Sequence, residues 1–470
     1  MATSRLEVDL AAVGRNLAVF RSILDAPRAP GAGTEGAPEE PEHRPGQRRS
    51  VCGIIKQDAY GLGGARIAKK LAASGVEMLA VYCTDEARDL ADLPIPTPLL
   101  VLMPVRTIDR SDPIYRLAVR NRLHLVVHDL EQVGDLAAAG SRVGLRLPVH
   151  VQLDTGMSRG GALEAEAKRI VELVLASPRL QLAGLMTHFS SPTTEADFTR
   201  EQARAFRTFF DDLKPMIAPA IASATAAGGP GFAIHAANTA ATLRGRAFHA
   251  TMARIGQGLY GYGFESFTDP LAVEFASFGK QLQPAVRWLT RIAHIHEVPK
   301  GWPVGYGRTF KAARPTRVAL VPVGYADGYP LGLSNLGKVG LTGLMYDRPK
   351  VGAGQRIEAL DRPAFAPIIG RVSMDQFTID VTGLPESLAC VGAEIELFGR
   401  DPQGPNHLPT LAKQAGTITH ELLCRVCPHI ERVYVSPAGT DEPIVDATAA
   451  LPGVVNTGRI NPPRAAMTAA

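Results

Sequence analysis

Between residues 51 and 255, eight short apolar runs alternate with segments of helical period, and this alternation restricts the fold more than any other feature of the chain. The runs are 51–55, 78–82, 98–102, 123–127, 148–153, 181–187, 231–235 and 250–255. Helical patterns are clearest at 64–74, 129–139, 162–176 and 198–218. Short apolar, β-branched runs of this kind read as buried strands. Eight such units over about two hundred residues fit an α/β fold, a TIM-like (β/α)8 barrel. A doubly wound open sheet is the runner-up, but no G-x-G-x-x-G follows the first run.

Past residue 280 the pattern changes. Segments 285–298, 317–324, 338–345, 366–381, 393–398 and 430–435 are strand-like and separated by Gly/Pro turns, with one helical piece around 408–424. The expected organisation is a barrel over 1–280, a mainly β C-terminal domain over 281–436 and a flexible tail over 437–470. Residues 5–24 read as a strand and an amphipathic helix carrying Leu10, Val13, Leu17, Phe20 and Leu24. The 26–50 stretch is rich in Pro, Gly, Glu and Arg, cannot bury enough surface to offset ordering, and is expected to be a disordered insertion.

Composition excludes several classes. A net charge of +4 on 470 residues, with no dense basic block, does not point to nucleic acid. No apolar run approaches the length of a membrane span, and the N-terminus lacks the apolar core of a signal peptide, so a cytoplasmic location is expected. Five scattered cysteines (52, 83, 390, 424 and 427) fit reduced thiols. The lone C-x-x-C at Cys424 and Cys427 has no second pair, so no metal is expected.

Barrels of this type carry their chemistry at strand C-terminal ends. Those ends bear Lys56, His128, Asp154 to Arg159, His188, Asn238 with Thr239, and Arg254 with Gly256. A lysine ending a buried strand loses solvation, which lowers its pKa and suits an amine that attacks a carbonyl to form a Schiff base. Tyr60 stands four residues on. In isolation such a lysine simply snorkels. The loops after strands 7 and 8 are common phosphate sites. Here they read His235-Ala-Ala-Asn-Thr, placing the Thr239 hydroxyl at a helix start, and Arg254-Ile-Gly-Gln-Gly, whose glycines admit a phosphate to the backbone amides. The alternative for each is a helix cap and a glycine turn. A reactive lysine and a phosphate cradle in one barrel mouth suggest pyridoxal phosphate. Arg254 facing the pyridine nitrogen would leave it unprotonated, because a guanidinium has no proton to give. That weakens the electron sink and favours returning a proton to the α-carbon.

These residues fall in blocks that resemble bacterial alanine racemases. The blocks are Ile-Ile-Lys-Gln-Asp-Ala-Tyr-Gly (54–61), Leu-Asp-Thr-Gly-Met-Ser-Arg-Gly-Gly (153–161), Thr-His-Phe (187–189) and His-Ala-Ala-Asn-Thr-Ala-Ala-Thr (235–242). They continue with 254–261, Val-Gly-Tyr-Gly-Arg-Thr-Phe (304–310), Val-Gly-Tyr-Ala-Asp-Gly-Tyr (323–329), Gly-Arg-Val-Ser-Met-Asp-Gln (370–376) and Glu-Leu-Leu-Cys (421–424). The resemblance implies that Lys56 holds the cofactor and is one catalytic base. Tyr306 would be the opposite base, reaching in from the second subunit of a homodimer. Inversion of a stereocentre needs a base on each face. A phenol of pKa about 10 is a poor base unless a relay such as Arg254–His188 stabilises the phenolate.

The resemblance further implies that Tyr60, Asn238, Thr239, Gly256, Gln257 and His420 surround the cofactor, with His188 against its ring and Arg254 at its nitrogen. Arg159 and the backbone N–H of Met374 would hold the substrate carboxylate, and Tyr325 and Asp375 would shape the entrance. Four positions depart from the family pattern, the mildest being Thr239 in place of the usual phosphate-binding serine. Gln152 replaces a lysine that is often carbamylated and orients the carboxylate-binding arginine; its amide oxygen is expected to accept from Arg159. His420 replaces a phosphate-binding tyrosine, and Leu331 an entrance arginine. Alanine is the expected substrate, with serine or a broader range as the alternative. A basic amino-acid decarboxylase lacks the Gly-Tyr-Gly and Met-Asp-Gln blocks, and a non-catalytic pyridoxal-phosphate carrier would be a barrel alone.

Overall fold

The structure is a computed structural model that describes residues 4–26, 48–226, 231–346, 360 and 362–435. The expected tail at 437–470 and most of the expected 26–50 insertion lie outside these residues. At the far edge of that insertion the chain is already structured. Arg49 is buried and donates to the Leu24 carbonyl at 2.9 Å, and Ser50 opens a strand.

The chain begins with β1 (Arg5–Asp9) and α1 (Leu10–Asp25), whose first turn is capped by the Asp9 carboxylate accepting from the Ala12 amide at 2.8 Å. Eight parallel strands follow: β2 (Ser50–Ile54), β3 (Met78–Val81), β4 (Leu99–Val101), β5 (Leu123–Val127), β6 (Leu147–Gln152), β7 (Leu180–Met186), β8 (Ala233–His235) and β9 (Met252–Ile255). They form one sheet in the order β8-β7-β6-β5-β4-β3-β2-β9. Its two outer strands meet through an Asn238–Arg254 bridge and a 2.9 Å bond from the Arg254 amide to the Ala237 carbonyl, which closes the barrel without a full ladder. Every residue of β3, β4, β5, β8 and β9 is buried, as parallel strands covered on both faces must be.

The barrel interior is not wholly apolar. His124 on β5, His150 on β6, His235 on β8 and Arg254 on β9 form one buried chain. Its bonds are His124 Nδ1 to His150 Nε2 at 2.9 Å, His150 Nδ1 to His235 Nε2 at 2.9 Å, and Arg254 Nη1 to His235 Nδ1 at 3.2 Å. Arginine has donors only, so the order of donation is settled from that end: Arg254 to His235, His235 to His150, His150 to His124, each imidazole carrying its proton on Nε2. Gly184 on β7 makes room, because a Cβ there would lie 2.5 Å from His150 Nδ1.

The remaining strands are β10 (Val286–Arg291), β11 (His294–Val298), β12 (Pro303–Val304), β13 (Phe310–Lys311), β14 (Thr316–Val321), β15 (Lys338–Met345), β16 (Ala364–Ile369), β17 (Phe377–Asp380), β18 (Ala393–Phe398) and β19 (Glu431–Val435). Nine strands form a sheet ordered β11-β14-β17-β16-β15-β18-β10-β1-β19. The first strand, expected within the 1–280 barrel, therefore lies in this sheet, antiparallel to β10 and parallel to β19. Its alternation explains the choice: Leu6 and Val8 are fully buried on one face, while Arg5 and Glu7 on the other join Arg287, Glu394 and Glu396 in a salt-bridge network. Trp288, Tyr329, Phe377 and Phe398 stack in the core beneath, with Trp288 and Phe398 centroids 5.0 Å apart. The helical piece expected at 408–424 is two helices, Leu408–Gln414 and Thr419–Arg425, parted by Gly416 at φ 71°. No helix among the described residues is long and apolar enough to cross a membrane.

The buried histidines make stability depend on pH. Burial pushes the imidazoles of His124 and His249 from 6.5 down to about 4 and about 3. Burial first, then neighbouring charge, takes His150 and His235 well below 6.5. In the unfolded chain all four take a proton near pH 6.5, so between there and pH 4 the unfolded state binds more protons. The contribution is complete above pH 6.5 and is lost as pH falls. Unfolding followed between pH 6.5 and 4.5 should lose stability more steeply than the roughly 1.4 kcal/mol per pH unit that a single proton gives.

Candidate active site

Parallel strands around a barrel deliver all their C-terminal ends to one rim. Lys56 follows β2, His128 follows β5, Asp154 to Arg159 follow β6, His188 follows β7, Asn238 and Thr239 follow β8, and Gly256 follows β9. Partial burial, and next the nearby Arg159 charge, lower the pKa of Lys56. The same Lys56 and Arg159, with Arg254, act on His188, which burial and these charges hold down at about 3. His188 is thus a neutral imidazole. Its Nδ1 accepts from Arg254 Nη2 at 3.0 Å, so its proton is on Nε2 and available to donate.

Arg254 is 3% exposed, and both terminal nitrogens are engaged. Nη1 donates to the His235 carbonyl at 2.7 Å as well as to its ring, and Nη2 to the carbonyls of Thr187 and Ala236 at 2.7 and 3.1 Å. Nε takes no part in these bonds. Burial lowers the guanidinium pKa to about 10, which leaves it charged at neutral pH.

A cluster of donors stands beside it. The Thr239 hydroxyl oxygen accepts from the amides of Gly256 and Gly258 at 3.1 and 3.4 Å, leaving its own proton to donate. The Tyr60 phenol is wedged against Gly256, where any Cβ would lie 2.4 Å from its oxygen. Burial raises the Tyr60 pKa, so the hydroxyl stays protonated. Its ring packs on Tyr260 at 5.1 Å and on His420 at 5.6 Å. Gln257 is buried and opens the short 3-10 turn beyond Gly256. These residues fit the expected pyridoxal phosphate: hydroxyl donors for a phosphate, the Arg254 Nε–H for a ring nitrogen, and an amine with lowered pKa for the aldehyde carbon.

One expected site residue is also a helix cap, and one expected contact differs. Asn238 spends its side-chain oxygen on the Ala241 amide at 3.0 Å, capping the helix Thr239–Arg244, so it sets the backbone that presents Thr239. Gln152 does not offer its oxygen to Arg159. Its amide nitrogen donates to the Gly160 carbonyl at 2.8 Å, fixing the chain directly after that arginine. Asp154 holds the loop from the other side, one oxygen accepting from the amides of Gly156, Met157 and Ser158. The Arg159 side chain itself is exposed.

Tyr325, Met374 and Asp375 lie in connections between strands of the nine-stranded sheet, and Tyr306 in the turn of a separate two-stranded sheet, β12-β13. Tyr306 is 73% exposed, in a turn between Gly305 and Gly307, both at positive φ. Met374 and Tyr325 are 54% and 46% exposed, and the Met374 carbonyl accepts from the Ala326 amide at 3.0 Å. Among the described residues no hydrogen bond joins these four to Lys56, Arg159 or Arg254. The barrel mouth gathers the residues expected to face the cofactor and leaves the second group exposed.

Directly after Lys56 the backbone does something that residue types do not announce. Gln57, Asp58, Ala59 and Tyr60 all lie in the left-handed region, with φ of 54°, 52°, 54° and 62°. L-residues incur roughly 1–2 kcal/mol each there and normally visit it singly. Such a run persists only if its surroundings over-determine it. Asp58 accepts from the amides of Gly63 and Gly64, and from the C-terminal sheet Arg432 Nε donates to the Gly61 carbonyl at 2.9 Å and the Tyr434 hydroxyl to Leu62 at 3.2 Å.

Comparison with known proteins places these features in context. Residues 42–263 match the family model of the alanine racemase N-terminal domain, and residues 285–434 that of the alanine racemase C-terminal domain. Among curated relatives, alanine racemase 2 of Caldanaerobacter subterraneus is 32% identical over 392 residues, 83% of this chain and 89% of the relative. The alanine racemase of Desulfovibrio desulfuricans is 32% identical over 433 residues, 91% of this chain and 97% of its own. The solved alanine racemase of Streptomyces coelicolor superposes with a TM-score of 0.69 at 27% identity, covering 92% of this chain and 98% of that one.

The site makes two outcomes measurable. Gly256→Ala drives a methyl into the Tyr60 hydroxyl and should lower retention of pyridoxal phosphate on gel filtration by about tenfold or more, with the fold intact by circular dichroism. Gln57→Gly removes a left-handed L-residue and should raise the melting temperature, the gain of roughly 1–2 kcal/mol outweighing glycine's extra chain entropy of about 0.5–1 kcal/mol.

Proposed function

Because this chain belongs to the alanine racemase family, we propose that the barrel mouth of one copy and the Tyr306 turn of a second copy form one active site. The reaction is the interconversion of L- and D-alanine, and the cofactor is pyridoxal phosphate. When bound, pyridoxal phosphate supplies the electron sink that acidifies the substrate's α-C–H bond. Lys56 Nζ removes or returns the proton on one face, and the Tyr306 oxygen does so on the other. His188 donates from Nε2 to that oxygen and passes the influence of the Arg254 charge to it, which stabilises the phenolate. Arg159 orients the substrate carboxylate, together with the Met374 amide from the second copy, while Tyr325 and Asp375 line the approach. The product D-alanine is an expected cytoplasmic supply for peptidoglycan.

Arg254 is the observation that carries this reading. A guanidinium held by five bonds, charged and fixed, cannot protonate a pyridine nitrogen. The weaker sink favours proton return over transamination. Exposure of Tyr306 and Met374 supports a second copy, against which both would be enclosed. A broader substrate range is favoured by the side chain of Gln152, which is neutral and turned toward Gly160 rather than Arg159.

Incubation with L-alanine, L-serine and L-lysine followed by chiral chromatography tests the reading. D-alanine alone supports a dedicated enzyme, comparable D-serine or D-lysine supports the broader range, and no D-isomer with cofactor bound leaves a non-catalytic carrier. Tyr306→Phe should lose about two to four orders of magnitude in D-alanine formation while keeping its cofactor. Mixing the inactive Tyr306→Phe and Lys56→Ala proteins, with subunit exchange, should restore about a quarter of wild-type activity, because half the dimers then hold one intact site of two. No recovery in exchanged dimers would refute the shared site.

A further inference from the structure

We propose that Glu86 is a positioning residue for Lys56, clamping the entrance to the left-handed turn so that the amine is held at a fixed point of the barrel mouth. The inference rests on the reading above in one respect, that Lys56 is the amine that holds the cofactor.

Glu86 lies in the first turn of the helix Thr84–Leu90, three residues after its N-cap Cys83. A glutamate at that position ordinarily reaches back to the N-cap amide. This one does not. Its Oε2 accepts from the Tyr82 amide at 2.7 Å, and its Oε1 crosses to the Gln57 amide at 2.9 Å. Both amides lie just past the ends of adjacent strands, β3 and β2. The last ladder bond between those strands runs from the Ile55 amide to the Ala80 carbonyl at 2.8 Å. One carboxylate therefore collects two amides that the ladder leaves behind.

The consequence falls on the residue between. Lys56 has the ladder bond of Ile55 on one side and the Glu86 bond of Gln57 on the other, so its backbone is fixed at both neighbours. Gln57 is also the first of the four left-handed residues. The far end of the turn is held independently by Arg432 and Tyr434 from the C-terminal sheet. Release of Glu86 frees the entrance while that exit stays tied. The backbone can then relax toward its preferred hand next to Lys56, and the amine swings away from its working position. Small displacements of this kind carry large rate penalties, on the order of a hundredfold for about 1 Å.

Glu86→Ala and Glu86→Gln separate the clamp from general stability. Glutamine keeps the shape and one acceptor and removes the charge. In the apoprotein, hydrogen exchange at the Gln57 and Tyr82 amides should accelerate about tenfold or more in Glu86→Ala and less in Glu86→Gln. In the holoenzyme, Glu86→Ala should release pyridoxal phosphate faster. Its kcat should fall by about tenfold to a hundredfold, with the KM for alanine changed less than about threefold because Arg159 is untouched. Glu86→Gln should lie between Glu86→Ala and wild type in each measurement. Unaltered exchange in Glu86→Ala overturns the clamp. Faster exchange with unchanged cofactor release and kcat makes the bonds merely architectural and overturns the positioning role. Should Glu86→Ala not fold, Glu86→Gln carries the same comparison. If wild-type protein binds cofactor but makes no D-alanine, the functional reading fails, and cofactor release from the two variants still decides the role of Glu86.

Discussion

A buried guanidinium orients four imidazoles of the barrel. Arg254 can only donate, so each partner must accept, and acceptance at one imidazole nitrogen obliges donation at the other. His235, His150 and His124 line up on one side, and His188 is left with an outward N–H on the other. A buried charge without such partners would be prohibitively unfavourable. With them, the arginine keeps its charge and cannot turn. Pairing a ring nitrogen with such a group differs from pairing it with a carboxylic acid, because no proton can pass. On the proposed reading, the bias toward racemisation begins in the solvation of one residue.

Close backbone approach is the second constraint. Gly256 lets the Tyr60 hydroxyl lie against the chain, and Gly184 lets His150 reach across β7 to His235. In both places a single methyl group would occupy space already held by a polar atom. The glycines at the end of β9 serve proximity between elements more than chain flexibility, which explains why they adjoin the donors that suit a phosphate.

The lysine turn connects the two sheets. Its entrance is tied to the helix after β3 by Glu86, and its exit to β19 by Arg432 and Tyr434. Since β19 pairs with β1, which pairs with β10, the turn that presents Lys56 is braced by the same nine-stranded sheet whose β16–β17 connection carries Met374. Strain is tolerable there because bonds from several independent elements hold it. Loss of one tie frees its own end of the turn while the others hold the rest.

The amino-acid sequence by itself determined the elements whose signal is local. Eight apolar runs, each set off by its own breakers, marked the barrel strands to within two residues or so, and the reactive side chains stood where those runs end. Lys56, Thr239, Arg254 and Gly256 could be picked out because chemistry at a strand end follows from chain position alone. Tertiary structure decided whatever depends on partners far along the chain. β1 joins the C-terminal sheet because its alternating face matches β10 and β19, more than 270 residues away. Gln57 to Tyr60 turn left-handed although none of them is glycine, held by the turn's own Asp58 bonds and by bonds from Glu86, Arg432 and Tyr434. Gln152 points its nitrogen at Gly160, and Asn238 caps a helix, because side-chain amides take whichever neighbour the folded backbone brings near. A sequence records what each residue is able to donate or accept. Which of those bonds forms is settled when distant segments are packed together.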